Sequence, residues 1–321
     1  MTSLRIKAVF LSTKYFLLLA LLLVVSSGCG AIRCAQVRSV ARVLSGPSES
    51  NVFVKDDDPE LIRDALPFAL KTYETLLVSD PKNKDLNLAT AEGFVTYANA
   101  FVQTDAEEAE EVDFRLSQDL RKRAAKLYLR GRNYALAGLS LDYPDFEKRL
   151  REDPAHTLQA LSSKDVPFLY WAGAGWAGAI SSDPSNLSLV AELSIVEAMM
   201  RNALALDEDY KYGAIHEFFI TYEGSRSEAM GGSPKRAQEH FDRVVTLTQG
   251  RKASPYVALA SSVAVRQQDY GMFKELLRKA LEIDTDAVPK WRLANILAQE
   301  KAKWLLDHSP DLFLEYEEPE S

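Results

Sequence analysis

Apolar residues recur at three- and four-residue spacing through residues 231–283, a pattern that predicts three consecutive amphipathic helices. Ser233 followed by Pro234 is typical of a helix start. Gly250 is typical of a helix end, and Asp269 of the next N-cap. The predicted apolar faces are Ala237, Phe241, Val244, Val245 and Thr248 in the first helix, Val257, Ala260, Ser261, Ala264 and Val265 in the second, and Phe273, Leu276, Leu277, Ala280 and Leu281 in the third.

Helix pairs of about this length are typical of tetratricopeptide repeats, in which each pair buries its apolar face by stacking on a neighbour. An ordinary antiparallel helix bundle is the alternative. Two further stretches with related spacing favour the repeats: Ala69, Tyr73, Leu76 and Pro81, and Val196, Met200, Ala203 and Leu206. We therefore predict an all-α fold of degenerate tetratricopeptide-like repeats, forming one α-solenoid or bundle domain.

The rest of the chain has helical patterns and hardly any strand signal. Predicted helices cover residues 59–78, 86–102, 116–139, 145–151, 166–180, 187–206, 210–222 and 288–308, with an acidic, mobile link before residue 116. No break typical of a linker follows residue 54. We therefore expect one helical domain over residues 55–313, followed by an acidic tail at 314–321.

The N-terminus has the pattern of an export signal. Arg5, Lys7 and Lys14 precede an apolar run at residues 15–25, which is too short to cross a bilayer core of about 30 Å as a permanent helix. This pattern predicts a signal peptide at residues 1–28.

Cys29 follows small residues, as in the lipobox of bacterial lipoproteins, whose cysteine is acylated and becomes the mature N-terminus. Ser26 stands where leucine is commonest in that motif. We predict lipidation at Cys29 and a lipidated linker over residues 29–54. Ordinary signal cleavage, with Cys29 unmodified, is the alternative.

Few other residues could form a disulfide or bind a metal. Cys34 is the only other cysteine, so lipidation of Cys29 leaves no disulfide and no cysteine-based zinc site. The chain has four scattered histidines, and Ile220 occupies the place of the second histidine in a His-Glu-x-x-His motif begun by His216. We expect no metal and no cofactor.

Composition excludes one class of partner. The chain is 47% hydrophobic and 26% charged, enough for a substantial core, and its formal charge is −8. Loss of the leader removes three basic residues and makes the remainder still more acidic. This balance argues against a nucleic-acid partner. The acidic runs at 56–58 and 107–111 are interpreted as solvated faces rather than partner surfaces.

Residues 173–178 satisfy the Gly-x-Gly-x-x-Gly fingerprint of dinucleotide-binding proteins. That chemistry needs a strand, a glycine turn and a helix within a βαβ unit. No second strand follows here, Pro184 interrupts the pattern, and Trp176 would crowd a phosphate. We interpret the segment as a helix with a ridge of small residues.

Such a ridge admits either a neighbouring helix or a ligand. Large aromatic residues border it, and further aromatic residues lie on the predicted 86–102 helix. Our ligand hypothesis is that an apolar passage is lined by Phe94, Tyr97, Tyr170, Trp171, Gly175 and Trp176. Close helix packing without a ligand is the alternative.

The chain as a whole resembles the TRAP-transporter T-component family of tetratricopeptide-like lipoproteins. The residues that carry the resemblance span roughly 29–313: the lipobox, Tyr128 to Tyr134, Gly231 to Pro234, Ala237, His240-Phe241, Gln268-Asp269-Tyr270, Phe273, Leu276-Leu277, Arg292 to Asn295, Ala302, Leu305-Leu306 and Asp311-Leu312-Phe313. The resemblance implies a lipid-anchored protein of the bacterial periplasm that binds the solute-binding subunit of a tripartite ATP-independent transporter. It also implies self-association, with a trimer as the expected form, and an apolar passage for hydrophobic solutes.

Nothing in the sequence arranges a nucleophile, a base and oxyanion donors together. We therefore expect a non-enzymatic accessory protein of solute uptake. A lipid-anchored repeat scaffold for envelope assembly is the first alternative, and it would share the helices but lack a ligand cavity. An exported hydrolase on a helical frame is the second alternative, and it would require clustered catalytic groups.

Overall fold

The computed structural model describes residues 52–314, and within them every regular element is a helix. This confirms the all-α prediction for that part of the chain. The predicted signal peptide, Cys29 and residues 315–321 of the acidic tail lie outside the described residues. None of the described helices is both long enough and apolar enough to cross a membrane.

The helices follow one another with short connections. The α-helices are α1 (Pro59–Ser79), α2 (Lys84–Tyr97), α3 (Thr104–Glu108), α4 (Phe114–Asp142), α5 (Phe146–Glu152), α6 (Pro154–Gln159), α7 (Val166–Ser182), α8 (Leu187–Val190), α9 (Leu193–Leu206), α10 (Ala214–Ser225), α11 (Pro234–Thr248), α12 (Ser254–Leu259), α13 (Val265–Gln267), α14 (Tyr270–Leu281), α15 (Arg292–Asp307) and α16 (Ser309–Leu312). Two π-helical segments, Ala98–Gln103 and Ala260–Ala264, continue α2 and α12 without a break. Short 3-10 helices occupy Phe53–Lys55, Ser163–Asp165, Tyr210–Tyr212, Glu228–Met230 and Pro289–Trp291.

Buried apolar side chains of the described residues form two clusters. The N-terminal core combines side chains of α1, α2, α4, α7, α9 and part of α10. The C-terminal core combines those of α11, α12, α14 and α15 with Phe313. The two cores meet at α10, which contributes Phe219 to the first and Ile220 to the second.

The C-terminal core follows the predicted faces except at Ser261, which is exposed, whereas its neighbours Ser262 and Val263 in the π-helical segment are buried. Phe273 and Leu277 are fully buried, as their spacing predicts. Ser233 Oγ accepts a hydrogen bond from the Arg236 amide at 3.2 Å, and Asp269 Oδ1 accepts one from the Met272 amide at 2.8 Å. Both predicted N-caps are therefore confirmed. Within this core, α12 contacts α10 and α11 before it and α14 and α15 after it.

The N-terminal core is organised around α7, which packs against α2, α4 and α9. The Gly-x-Gly-x-x-Gly segment lies inside this helix, which confirms its helical interpretation. A Cβ atom added to Gly175 would lie 2.9 Å from the Tyr128 carbonyl oxygen and 3.2 Å from the Arg132 nitrogen. One added to Gly178 would lie 2.5 Å from the Tyr128 ring. Gly175 therefore lets α7 approach the backbone of α4, and Gly178 leaves room for the Tyr128 ring.

Two predicted helices are interrupted. The predicted 187–206 helix is two helices, α8 and α9, and Asn186 caps the first by accepting from the Leu189 amide. The predicted 210–222 helix begins as a separate 3-10 turn. Lys211 and Tyr212 there have φ angles of 44° and 61°, so α10 starts only after Gly213. A run of left-handed residues cannot continue an α-helix.

The acidic link before α4 is more ordered than expected. Part of it forms a π turn and α3. Asp105 accepts a hydrogen bond from Arg63 at 2.7 Å, and Glu107 accepts one from Lys301 of α15 at 2.7 Å. The interpretation of residues 107–111 as a solvated face is therefore wrong in part, because ion pairs tie this run to other helices. In the other run, Asp58 caps α1 through the Leu61 amide.

Candidate functional site

The six residues of the ligand hypothesis lie on two helices that touch. Phe94 and Tyr97 belong to α2, and the other four belong to α7. All lie in or against the N-terminal core. They do not share one environment, however.

Phe94 lies beside a buried carboxylate. Its ring stacks on that of Tyr134, with centroids 6.1 Å apart, and the Arg130 guanidinium carbon lies 4.8 Å from the Phe94 centroid. Glu74 accepts hydrogen bonds from Tyr134 at 2.9 Å and from Lys71 at 2.6 Å, and it also pairs with Arg130. Burial alone would raise the pKa of Glu74, but these donors outweigh it and lower that pKa. Phe94 thus packs against a satisfied polar network.

Burial and the neighbouring Glu74 carboxylate raise the pKa of Tyr134 to about 12. The phenol therefore stays a hydrogen-bond donor at neutral pH. Tyr97 is one turn beyond Phe94, and its ring lies 5.7 Å from that of Phe101.

An aromatic cluster surrounds the start of α7. The Tyr170 ring lies 4.9 Å from that of Trp171 and 5.3 Å from that of Tyr210. Lys211 Nζ lies 4.9 Å from the Trp171 centroid and bonds Glu92 of α2 at 2.6 Å. Burial raises the pKa of both Tyr170 and Tyr210. We call Tyr170, Trp171 and Tyr210 the aromatic cluster.

Two members of this neighbourhood, Tyr210 and Lys211, were missed by the sequence reasoning. Before Gly213, Tyr210 and Tyr212 lie on either side of Lys211, a pattern that fits an ordinary helix. Helical periodicity therefore does not reveal that Lys211 and Tyr212 have a left-handed backbone. Such conformations for residues other than glycine cost free energy and persist only where surrounding contacts hold them. Glycine at 213 was the available signal that the helix begins there.

Trp176 lies in a third environment and is fully buried. Its Nε1 donates to Glu192 Oε2 at 2.8 Å. The guanidinium carbons of Arg132 and Arg151 lie 4.6 and 4.9 Å from the indole centroid. Burial lowers the pKa of Arg132. The Trp176 ring is therefore held by two cations and a carboxylate.

Gly175 faces the α4 backbone rather than open space. The structure thus brings Tyr170 and Trp171 together, and it places Phe94, Gly175 and Trp176 in separate contacts. Whether any of the six residues binds a ligand stays a prediction.

Two of the hollows on the described surface include none of the six residues. One, of about 550 Å³, is lined by the largely charged set Ser140, Asp145, Glu147, Lys148, Arg151 and Glu152. The other, of about 360 Å³, lies between α11, α12 and α14 and is lined by Gln238, Phe241, Val245, Tyr256, Leu259, Met272, Glu275, Leu276 and Lys279. Helical periodicity predicted several of these apolar residues, but not that the helices leave a groove between them.

The described residues hold no group of three or more histidine, cysteine, aspartate or glutamate side chains arranged for a metal. Charged side chains are instead engaged with one another, as at Glu223. This fully buried carboxylate bonds Arg236 at 2.6 Å and Arg201 at 3.2 Å. It joins α9, α10 and α11, and its arrangement is that of a structural ion pair.

Comparison with known proteins gives two results. A family model described as TRAP transporter T-component matches residues 55–313. A protein of Treponema pallidum (strain Nichols), described as uncharacterized, is 32% identical over 276 residues, which cover 85% of each chain. The family match extends over nearly all of the described helices.

Proposed function

The chain belongs to the TRAP transporter T-component family, and we propose that it is a lipid-anchored periplasmic accessory protein that binds the solute-binding subunit of such a transporter. The family match over residues 55–313 is the observation that carries this proposal. It is a family of transporter components rather than of enzymes.

The packing of the C-terminal helices supports a role in binding another protein. Along the chain, α12 contacts two helices before it and two after it, a contact pattern expected of helices stacked in sequence. Stacked helix pairs are the architecture of tetratricopeptide-like arrays, which expose extended surfaces to partners. We include this repeat arrangement, and self-association as a trimer, in the proposal.

Binding to the solute-binding subunit is tested with the two purified proteins. The subunit is the solute-binding protein of a tripartite ATP-independent transporter from the same organism, and the masses of the complexes are measured by size-exclusion chromatography with light scattering. We expect a complex that an unrelated periplasmic solute-binding protein does not form. A chain that is folded by circular dichroism but forms no complex would contradict the proposal and favour the scaffold alternative.

The anchor is tested at Cys29, which lies outside the described residues. Cys29→Ala should remove labelling by radioactive palmitate and release the protein from the membrane fraction, because stable anchoring requires the acyl chains. Cys34→Ala is the matched control and should retain both. Palmitate label that persists in Cys29→Ala would contradict lipidation at that residue.

The proposal also includes an apolar ligand near the aromatic cluster. Native mass spectrometry should detect a co-purifying hydrophobic molecule, and its removal should change tryptophan fluorescence. The chain has four tryptophans. Trp171→Phe should abolish that change, whereas Trp304→Phe, on α15, should preserve it. A change lost only in Trp304→Phe would place the ligand elsewhere.

A further inference from the structure

Two histidines face each other where the two cores meet. His216 of α10 and His240 of α11 have their Nδ1 atoms 2.7 Å apart. His216 is 7% exposed, and the His240 ring stacks on Phe219 with centroids 5.0 Å apart. Phe219 belongs to the N-terminal core, whereas Phe241, next to His240, belongs to the C-terminal core. The pair therefore lies within the helix contact that joins the two cores.

We propose that this histidine pair is a proton-sensitive latch between the cores. It holds α11 against α10 while both imidazoles are neutral, and it releases α11 when they take up protons. The latch depends on the geometry of the pair and not on the transporter role.

The hydrogen bond between the rings assigns their tautomers. A neutral imidazole has one N–H donor and one acceptor nitrogen, so one Nδ1 must donate to the other. His216 Nε2 is buried and has no hydrogen-bond partner. A buried N–H without an acceptor is rare, so Nε2 carries the lone pair. His216 Nδ1–H therefore donates to His240 Nδ1, and the proton of His240 is on Nε2.

This arrangement has no good position for another proton. The one free lone pair of the pair is on His216 Nε2, so an added proton binds there. The shared proton can then move to His240 Nδ1, but the proton on His216 Nε2 remains. The result is a buried N–H with no acceptor. A second proton leaves an N–H on both facing Nδ1 atoms, which are then two donors at hydrogen-bond distance. Separation of α10 and α11 relieves both situations because it admits water.

The charged groups around the pair do not offset the free-energy cost of protonating it. The facing groups are Glu208 and Asp209 from the connection before α10, Glu223 from α10, Arg201 from α9, and Arg236 and Arg243 from α11. The acids already have cationic partners. Arg243 bonds both Glu208 and Asp209 at 2.8 Å, and Glu223 bonds Arg236 and Arg201.

Burial accordingly lowers the pKa of both histidines, that of His240 to about 4, and for His240 the neighbouring His216 adds to the effect. An exposed histidine has a pKa near 6.5. The contribution of the pair to stability is therefore complete above about pH 6.5 and is lost as the pH falls toward 4. For each imidazole that titrates, the opening equilibrium constant rises up to about tenfold per pH unit.

Hydrogen–deuterium exchange of the full chain at pH 7.5 and pH 5.0 tests the latch. After correction for the intrinsic exchange rate at each pH, opening of α11 should increase about tenfold or more relative to opening of α4. The double variant His216→Leu, His240→Phe keeps a ring on Phe219 and should lose this increase. His156→Gln, at an exposed histidine of α6, should keep it. An increase retained by the double variant would overturn the proposal.

A second measurement serves if the double variant does not fold. His216→Asn keeps a side-chain N–H donor near the position of Nδ1 and removes one titrating group. The pH dependence of α11 opening should then fall to about one proton. Imidazole proton signals of the four histidines, assigned with the single variants, give the pKa values directly. Values at or above about 6.5 for both His216 and His240 would refute the latch.

Discussion

The C-terminal core and the N-terminal core bury their helices in different ways. In the C-terminal core, polar helices such as α11 and α14 each present one row of large apolar side chains, including Phe241, Phe273 and Leu277. In the N-terminal core, α7 is apolar on most sides and is buried among α2, α4 and α9. The C-terminal core is stabilised by large side chains that fill its interior. The N-terminal core is also stabilised by helix backbones that approach each other closely.

This difference has a consequence for mutations. A helix that fills space with leucine loses stability when atoms are removed, because a cavity remains. A helix that approaches its neighbour through glycine loses stability when atoms are added, because the backbones cannot separate freely. Removal of side-chain atoms should therefore be the damaging change in the C-terminal core, and addition of side-chain atoms the damaging change at the glycine contacts of the N-terminal core.

The largest effect is expected at Leu277 in the C-terminal core. Leu277→Ala should lower the free energy of unfolding by about 2–5 kcal/mol, because the fully buried side chain leaves a cavity. Urea denaturation measures the change. Leu187→Ala removes the same atoms from a side chain that is 78% exposed, and it should stay within about 0.5 kcal/mol of wild type. Equal effects of the two substitutions would show that the Leu277 side chain does not fill space in the C-terminal core.

The next effect concerns Gly175 in the N-terminal core. Gly175→Ala should destabilise by about 1–3 kcal/mol because its Cβ meets the α4 backbone, and Gly175→Leu should cost more. Gly173→Ala is the control on the same helix. Its Cβ would meet Met200 Sδ, the flexible part of a side chain that can move, so its cost should be smaller.

A folded Gly175→Leu variant with wild-type stability would show open space beside α7. That result would favour the ligand hypothesis at this position over close packing. Thermal and urea unfolding of the purified variants distinguish the two outcomes.

Periodicity predicted the C-terminal core well because one face of each helix is apolar and the caps are local. Ser233 and Asp269 bond to amides three residues away, so sequence alone locates them. The all-α fold and the helical nature of residues 173–178 were predictable for the same reason.

The candidate site was less predictable because its contacts are distant in sequence. The partner of Lys211 is Glu92, and the partner of Glu107 is Lys301. An apolar helix such as α7 has no single marked face, so periodicity cannot say which aromatic residue meets which neighbour. The His216–His240 pair was missed because 24 residues separate the two histidines that share a hydrogen bond.

The smallest expected effect also has the opposite sign. Gly271 is exposed at the start of α14, and a Cβ there would make only an ordinary contact, 3.5 Å from Asp269 Oδ1. Gly271→Ala should therefore stabilise the protein by about 0.4–1 kcal/mol, because alanine restricts the unfolded chain without strain in the helix.

Gly231→Ala is the control for that substitution. Gly231 is also exposed, but its φ angle is 84°, so alanine should destabilise the protein there. Differential scanning calorimetry of the three alanine variants compares glycine at an exposed helix position (Gly271), at a positive φ angle (Gly231) and at a close helix contact (Gly175). A gain at Gly271 with losses at the other two would show that helical glycine is needed at the α4–α7 contact but not at the surface of α14. A loss at Gly271 comparable to that at Gly175 would mean that the α14 glycine also makes a close contact, and the contrast between the two cores would fail.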